Sequence, residues 1–540
     1  MNRYLLIILL SLLPLVSMFL TSDLPHTHDG LVHLPRIAAY FKALADGQIP
    51  VRWAGDLNYG YGMPLFNFIY QLPYLIASFF LFLGFGLVNA FKITLALSYI
   101  LSGIFMLAFA RNFFNDDKKA LLAAVFYQFA PFRLIELLVR GSFGEVYTYT
   151  FLPLILLGLT LLFRKFSYKN FLLTSFGIAL LVISHNSVSL LFFAVAVAFL
   201  IFFAKTKKNL IIGGLALSIG LLLSAFYWLP AIVEHQYTHG DLFMKNVYLS
   251  NFVPLWQFFV PNFLNSKLLQ TENISVQFGL FHEIAIVISI WLLLKKKLDE
   301  KTKKLIYFCL LLVVISLLFM QPVSKIIWAN VSFLRQFQFP WRFLSVVVFA
   351  ATLLSANYLN VAIFKKKLAY VILLILVVVS TAYWWKPQAG FDKINEGDFW
   401  NYPLTTTYYG ETDVEWSAGP KGAYADKQVE IIGGKGTITD ITKKLTTHTF
   451  RVDAQTEVNL VDHTQYFPGW RAYVDGKIVP IQFQDQNWRG EITFLTAKGI
   501  HDVKVSFGES PIRLFADIVS LTTFILLLPI LKFALRKIKL

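Results

Sequence analysis

LVISHNSVSLLFFAVAVAFLIFFAKTKKNLIIGGLALSIGLLL, residues 181–223, decides the fold. An apolar run at 187–204 lies between the polar tip SHN at 184–186 and the basic cluster Lys205, Lys207 and Lys208, and a second run begins at 210. A hydrocarbon core about 30 Å thick takes about 20 apolar residues in a helix. The stretch therefore reads as two membrane-crossing helices joined by a short basic turn. Cationic turns mark the cytoplasmic side, so the SHN tip faces outward.

The same alternation runs through most of the chain. Apolar runs of spanning length fall near 4–20, 88–110, 120–138, 146–163, 170–183, 187–204, 210–229, 278–294, 305–320, 342–363, 368–385 and 512–533, which predicts an all-α polytopic membrane protein of about twelve transmembrane helices. The composition agrees: 56% hydrophobic and 15% charged, against about a quarter charged in a soluble domain. A formal net charge of +16 would suggest nucleic acid, but its location removes that reading. Short basic clusters at residues 3, 111–119, 164–169, 205–208, 295–304, 365–367 and 532–539 carry the whole excess, and the rest of the chain is slightly acidic. The single cysteine, Cys309, excludes internal disulfides and thiolate zinc centres. The first run lacks a small-residue cleavage site and reads as an uncleaved anchor, with both termini cytoplasmic.

A further apolar stretch, 64–86, would break the parity of the basic loops, and it contains Pro64, Asn67, Gln71 and Pro73. It is predicted to lie at the outer interface or re-enter shallowly. The division expected is a transmembrane unit at 1–385 with an outer loop at 21–87, an extracytoplasmic antiparallel β-sandwich at 386–511, and a last helix with a basic tail at 512–540. The sandwich rests on alternating stretches at 428–432, 447–453, 456–462, 471–474, 478–483 and 501–507, separated by Gly, Asp and Asn turns.

Ionisable residues near the spans sit at their outer ends, unlike the midplane pathway of a transporter. Arg133, Glu136, Arg140 and Glu145 cluster where the third span exits, His185 is in the SHN tip, and Arg342 opens a late span. The outer loop holds HTHDGLVHLPRI at 26–37, where Asp29 and His33 share a helical face. Two readings of Asp29 stand: a general base taking a proton from an attacking hydroxyl, or a helix N-cap. Glu145 either orients a substrate or pairs with Arg140. His28, His33 and His185 are candidates for binding phosphate or sugar hydroxyls, or are interfacial polar residues. Arg52 and Trp53 either clamp the loop onto a sugar or anchor it in the interface. Trp470 and Tyr473 could stack on a sugar, and sandwich core is the favoured reading. His26, His28, Asp29 and His33 lack zinc-type spacing, so no metal site is assigned.

HDGLVHLPRI, the RW and GYGMP within 52–64, RGSFGE at 140–145, SHN at 184–186 and QFPWRF at 338–343 resemble the bacterial membrane proteins called 6-pyruvoyl-tetrahydropterin synthase-related, and FPGWRAYVDGK at 467–477 resembles their YfhO-like relatives. The order of an anchor, an outer loop with an early Asp, a juxtamembrane segment and many spans looks like the glycosyltransferase C superfamily (GT-C). The pterin label is inherited naming; nothing in the chain suggests a soluble pterin-synthase fold.

The resemblance implies a glycosyltransferase at the outer face of the plasma membrane. It would move sugar from a polyprenyl-phosphate donor to an envelope glycan, lipid or protein acceptor. Asp29 matches the base, Glu145 the acidic residue after the third span and Arg342 the arginine opening a later span. Arg140, Gln338 and Trp341 join the candidate substrate-binding set. Membrane lipids are the other expected partners; a divalent cation is compatible with the donor, no cofactor is assigned, and nucleic acid is excluded. A lipid or polysaccharide flippase and a non-catalytic envelope assembly protein are the alternatives.

Overall fold

Helices lie at each of the twelve stretches read as spans in the computed structural model, which describes residues 2–260, 275–295, 298–403, 410 and 412–536. The end of the basic tail beyond Arg536, and Lys296 and Lys297 of the cluster at 295–304, lie outside the described residues. Seven helices are long and apolar enough to cross a bilayer: Leu87–Phe114, Glu145–Arg164, Asn186–Phe203, Glu300–Met320, Pro340–Asn360, Lys367–Trp384 and Pro511–Pro529. Two bent pairs reach that length when each is taken as one span, Asp117–Gln128 with Pro131–Arg140 at 45° and Lys207–Leu223 with Ala225–Tyr237 at 69°. Arg3–Phe19, Tyr168–Val182 and Leu280–Lys295 have 17, 15 and 16 residues, short of that length. Among the described residues, length and composition therefore support seven to nine spans where the sequence pattern led to twelve. The difference arises because the runs at 4–20, 170–183 and 278–294 carry helices of 17 residues or fewer.

The stretch at 64–86 forms two short helices, Leu65–Phe68 and Leu72–Phe82. Eleven residues reach only about 16 Å, too short to cross. The backbone N–H groups of Gln71 and Leu72 donate to the Ile183 carbonyl at 3.1 and 2.9 Å, and the Asn186 side chain donates to the Phe68 carbonyl at 2.7 Å. This segment is thereby fastened to the SHN turn. At the opposite end of the bundle the basic loops meet: Arg3 and Arg111 both pair with Asp117, and the Tyr370 hydroxyl donates to the Lys118 carbonyl.

Two antiparallel sheets follow the penultimate membrane helix. One has five strands in the order Gly436–Lys443, Thr447–Ala454, Gly499–Phe507, Trp470–Val474, Lys477–Val479; the other has three, Val429–Gly433, Val458–Gln465, Glu491–Thr496. Their inner faces share one apolar core containing Phe450, Val452, Leu460, Trp470, Phe494 and Val505. Trp470 is core, as its spacing suggested, whereas Tyr473 is half-buried on the five-stranded sheet. The strands at 436–443 and 491–496 escaped the pattern reading; the first is edge-located and bulged between Thr439 and Thr442.

Trp53 of the first loop is fully buried in this same core, 5.4 Å from Trp470 and 5.2 Å from Phe507. Beside it, Arg52 bonds Asp517 of the last helix at 2.8 Å and the Phe226 carbonyl at 2.7 Å. Glu234, at the end of a bent pair, holds Asn67, Ser510 and Arg513 at 2.7, 2.5 and 3.2 Å. A second guanidinium nitrogen of Arg513 donates to the Pro468 carbonyl. The loop, the last helix and the sheets are thus joined by the ion pairs of Arg52 with Asp517 and of Arg513 with Glu234.

Candidate active site

The approach to Asp29 is set by three backbone ties. Leu24–Pro25 pairs antiparallel with Phe391–Asp392, and His26 Nδ1 lies 2.8 Å from Asp392 Oδ1. The N–H groups of His28 and Asp29 then donate to the carbonyls of Val139 and Arg140 at 3.1 and 2.9 Å. Those carbonyls become available because Glu136–Arg140 is one turn of π-helix ending at Gly141, which has φ 63°. Any Cβ at Gly141 would run into the Thr27 side chain, whose hydroxyl accepts the Gly30 N–H at 3.1 Å.

Helix Gly30–Ala45 begins after Asp29, which occupies the N-cap position without making a side-chain capping bond. Its backbone carbonyl accepts from Val32 and His33, leaving the carboxylate out of the helix's hydrogen bonding. Of the two readings of Asp29, the capping one therefore has no hydrogen bond behind it.

Behind Asp29, Glu145 gathers the charged side chains. One carboxylate oxygen, Oε1, lies 3.1 Å from Arg140, 3.0 and 2.9 Å from two nitrogens of Arg342, and 3.6 Å from His185 Nε2. Arg140 also bonds Glu136 at 2.6 Å, and its other terminal nitrogen stands 3.9 Å from Asp29 Oδ2. The third nitrogen of Arg342 donates to the Phe337 carbonyl at 2.7 Å and to Gln338 Oε1 at 3.0 Å. Both guanidinium groups lie over aromatic rings, Arg140 over Trp341 at 4.7 Å and Arg342 over Phe339 at 4.8 Å. Glu136 and Glu145 are 0% and 1% exposed at their side chains, while Asp29 is 38% exposed. Asp29 is the open end of a buried charge cluster.

The electrostatics follow from that placement. Crowding by protein raises the Asp29 pKa, and the charge of Glu145 adds to the rise, against the lowering pull of Arg140, His28 and Arg36. His185 Nδ1 accepts the N–H groups of Ser187 and Val188 at 3.1 and 3.2 Å, capping the next helix. Burial pushes its pKa down to about 3. Neutral His185 then carries its proton on Nε2, toward Glu145. His33 is buried and also held neutral, well below its usual range, chiefly by burial; its Nδ1 lies 2.9 Å from the Tyr74 hydroxyl.

Asp29, Arg140, Glu145, His185, Gln338, Trp341 and Arg342 come together from four distant stretches, with exposed His28 at the mouth and His33 behind Tyr74. Arg52 and Trp53 do not join them, because the last helix and the sandwich core occupy their side chains. Among the described residues, no group of three or more His, Cys, Asp or Glu is placed to hold a metal ion. Three contributors were not singled out from the sequence: Arg36, Tyr70 and Tyr74. Arg36 follows Asp29 and His33 at helical spacing, a signal that was available. The tyrosines belong to the folded-back segment after residue 64 and carried none.

An uncharacterised protein of Lactococcus lactis subsp. cremoris (strain MG1363) is 25% identical over 216 residues, 38% of this chain and 35% of that protein. Cryo-electron microscopy structures of the mycobacterial arabinofuranosyltransferase AftD align over 73% of this chain with 18% identity and a TM-score of 0.49, and, for a mutant of it, with 16% identity and 0.48. The chain spans about a third of the curated relative and under a third of each AftD chain. The family model described as 6-pyruvoyl-tetrahydropterin synthase related domain, membrane protein, matches residues 66–387. That match includes Arg140, Glu145, His185 and Arg342, and leaves Asp29 and the sandwich outside it. Since it covers more than half of the 540 residues, the chain belongs to the 6-pyruvoyl-tetrahydropterin synthase related family of membrane proteins.

Proposed function

We propose that this protein is a membrane glycosyltransferase that uses a polyprenyl-phosphate sugar at the outer membrane surface, with Asp29 as the general base. The observation that carries the reading is the contrast between Asp29 and its neighbours. A partly exposed carboxylate, free of capping duty, borders a cluster in which two other carboxylates are buried and paired with arginines. A base must reach its substrate's proton, and the buried carboxylates cannot.

In the proposed step, an acceptor hydroxyl oxygen attacks the anomeric carbon while its proton passes to Asp29. The bond from that carbon to the phosphate oxygen breaks, and its electron pair leaves on the phosphate. A single displacement inverts the anomeric centre. Glu145 acts as a positioning residue, because its one engaged oxygen fixes Arg140, Arg342 and His185 together. Arg140 in turn fixes Asp29. The envelope is the expected source of the acceptor, and the sandwich is placed beside the first loop by Trp53.

The flippase alternative would need ionisable residues through the membrane depth. The charged cluster here is instead gathered at the end of the bundle opposite the basic loops. The test is incubation of purified full-length protein with a panel of polyprenyl-phosphate sugars, reading release of the free polyprenyl phosphate. Release by wild type and its loss in Asp29→Asn is the expected result; no release with any donor and acceptor extract would favour the assembly-protein alternative.

A further inference from the structure

If a phosphate departs next to Asp29, a cation must receive its charge. Arg342 is poorly placed for this, since each of its three guanidinium nitrogens already meets a protein acceptor. Arg140 is divided between Glu136 and Glu145 through one nitrogen and approaches Asp29 through another. The two arginines prominent in the sequence therefore hold the cluster together.

Arg36 is different. It lies two helical turns beyond Asp29 on Gly30–Ala45, 7% exposed, close enough to Asp29 to lower its pKa. Among the described residues it has no carboxylate within ion-pair distance, and its buried Nε has no hydrogen-bond partner. Beside it lies Tyr74, whose ring stacks with that of Tyr70 at 5.7 Å; Tyr70 in turn lies 5.2 Å from His185. A buried guanidinium with no carboxylate at ion-pair distance is an unfavourable arrangement unless something anionic completes it. Arginine is also the side chain whose planar fork can engage two phosphate oxygens while staying charged out of water.

We infer that Arg36, flanked by Tyr70 and Tyr74, is the anion-binding residue of the site, and that its ligand is the phosphate of a lipid-linked sugar donor. Anion binding follows from a buried guanidinium with an unpartnered Nε and no carboxylate at ion-pair distance; naming the donor as its source rests on the glycosyl-transfer reading above. The folded-back segment carrying both tyrosines is pinned to the SHN turn by Gln71 and Leu72. Arg36, the tyrosines and His185 thus form one wall, and Asp29 stands near its end.

The test uses full-length protein in nanodiscs of zwitterionic lipid. Binding of a short-chain polyprenyl phosphate, inorganic phosphate and phosphatidylglycerol is measured for wild type, Arg36→Gln and Arg36→Lys. Wild type should prefer the polyprenyl phosphate, and Arg36→Gln should weaken it by about 10- to 100-fold, the range of a lost charge-assisted hydrogen bond. Arg36→Lys, which keeps charge without the fork, should fall between them; it decides the matter if the glutamine variant does not fold. Unchanged affinity in a folded Arg36 variant, or failure of wild type to bind any of the three probes, overturns the inference. Arg36-dependent binding of phosphatidylglycerol alone would keep the anion site and remove the donor reading. Arg36-independent binding of polyprenyl phosphate would do the reverse.

Discussion

Asp29 and Arg140 are tied twice: the Asp29 N–H donates to the Arg140 carbonyl at 2.9 Å, and the Arg140 guanidinium stands 3.9 Å from Asp29 Oδ2. The backbone bond fixes where the carboxylate emerges. The guanidinium, too far for a tight hydrogen bond, leaves it available to a substrate. Both ties depend on the π-helical turn and Gly141, so a loop position more than a hundred residues away in sequence is set by a membrane helix. Several expected outcomes follow from this coupling.

Glu145→Gln should destabilise the fold by about 3–5 kcal/mol, because it removes the carboxylate shared by two buried arginines and leaves both charges poorly compensated. Thermal and denaturant unfolding in detergent measure this. A variant as stable as wild type would show that Glu145 does not hold the cluster together.

Asp29→Asn should behave oppositely in the same measurement. The fold raises the Asp29 pKa, so it disfavours the ionised form, and that unfavourable contribution is present above the raised pKa. Removing the charge should leave stability unchanged or slightly increased at neutral pH. Marked destabilisation would mean that Asp29 is a structural partner of Arg140 instead.

The pH profile carries a related expectation. A general base must be deprotonated, so the rate should fall as pH drops through the Asp29 pKa, and that limb should lie above the ordinary aspartate range of about 3.9. A limb at or below the ordinary range would contradict the crowded setting of Asp29.

The sandwich has its own titration. Buried Asp462 accepts from His448 at 2.7 Å, Gln428 at 2.7 Å and Thr464 at 2.7 Å. Burial alone would raise its pKa, but the charge of His448 and these hydrogen bonds outweigh it and hold it below the ordinary aspartate range. Its stabilisation is therefore complete above the unfolded aspartate pKa, about 3.9, and is lost as pH falls through the lower folded value. Acid should loosen the sheets, followed by tryptophan fluorescence, with Trp470 lying 5.6 Å from His448. Asp462→Asn should remove this acid dependence.

What was legible in the sequence divides along physical lines. Apolar runs and basic turns identify membrane helices because the bilayer demands both, and helices stand at each expected place. The number of spans was less legible, because runs such as 170–183 are apolar along their length yet carry a helix of only 15 residues. Asp29, Glu145, His185 and Arg342 were visible as ionisable residues at span ends. Their division of labour was not, because Arg342's three acceptors come from Glu145 and the 337–338 turn, which no spacing rule joins. Arg52 and Trp53 suited a sugar-binding loop equally well; only the meeting of the first loop with the sandwich reveals them as an internal joint.

The most direct measurement is single-turnover release of polyprenyl phosphate from its sugar-charged form by wild type and Asp29→Asn, at equal donor occupancy. Loss of general-base help predicts a rate lower by about 10²–10⁴-fold in the variant, with donor affinity and folding retained. Near-normal turnover by well-folded Asp29→Asn would contradict the assignment of Asp29 as the base.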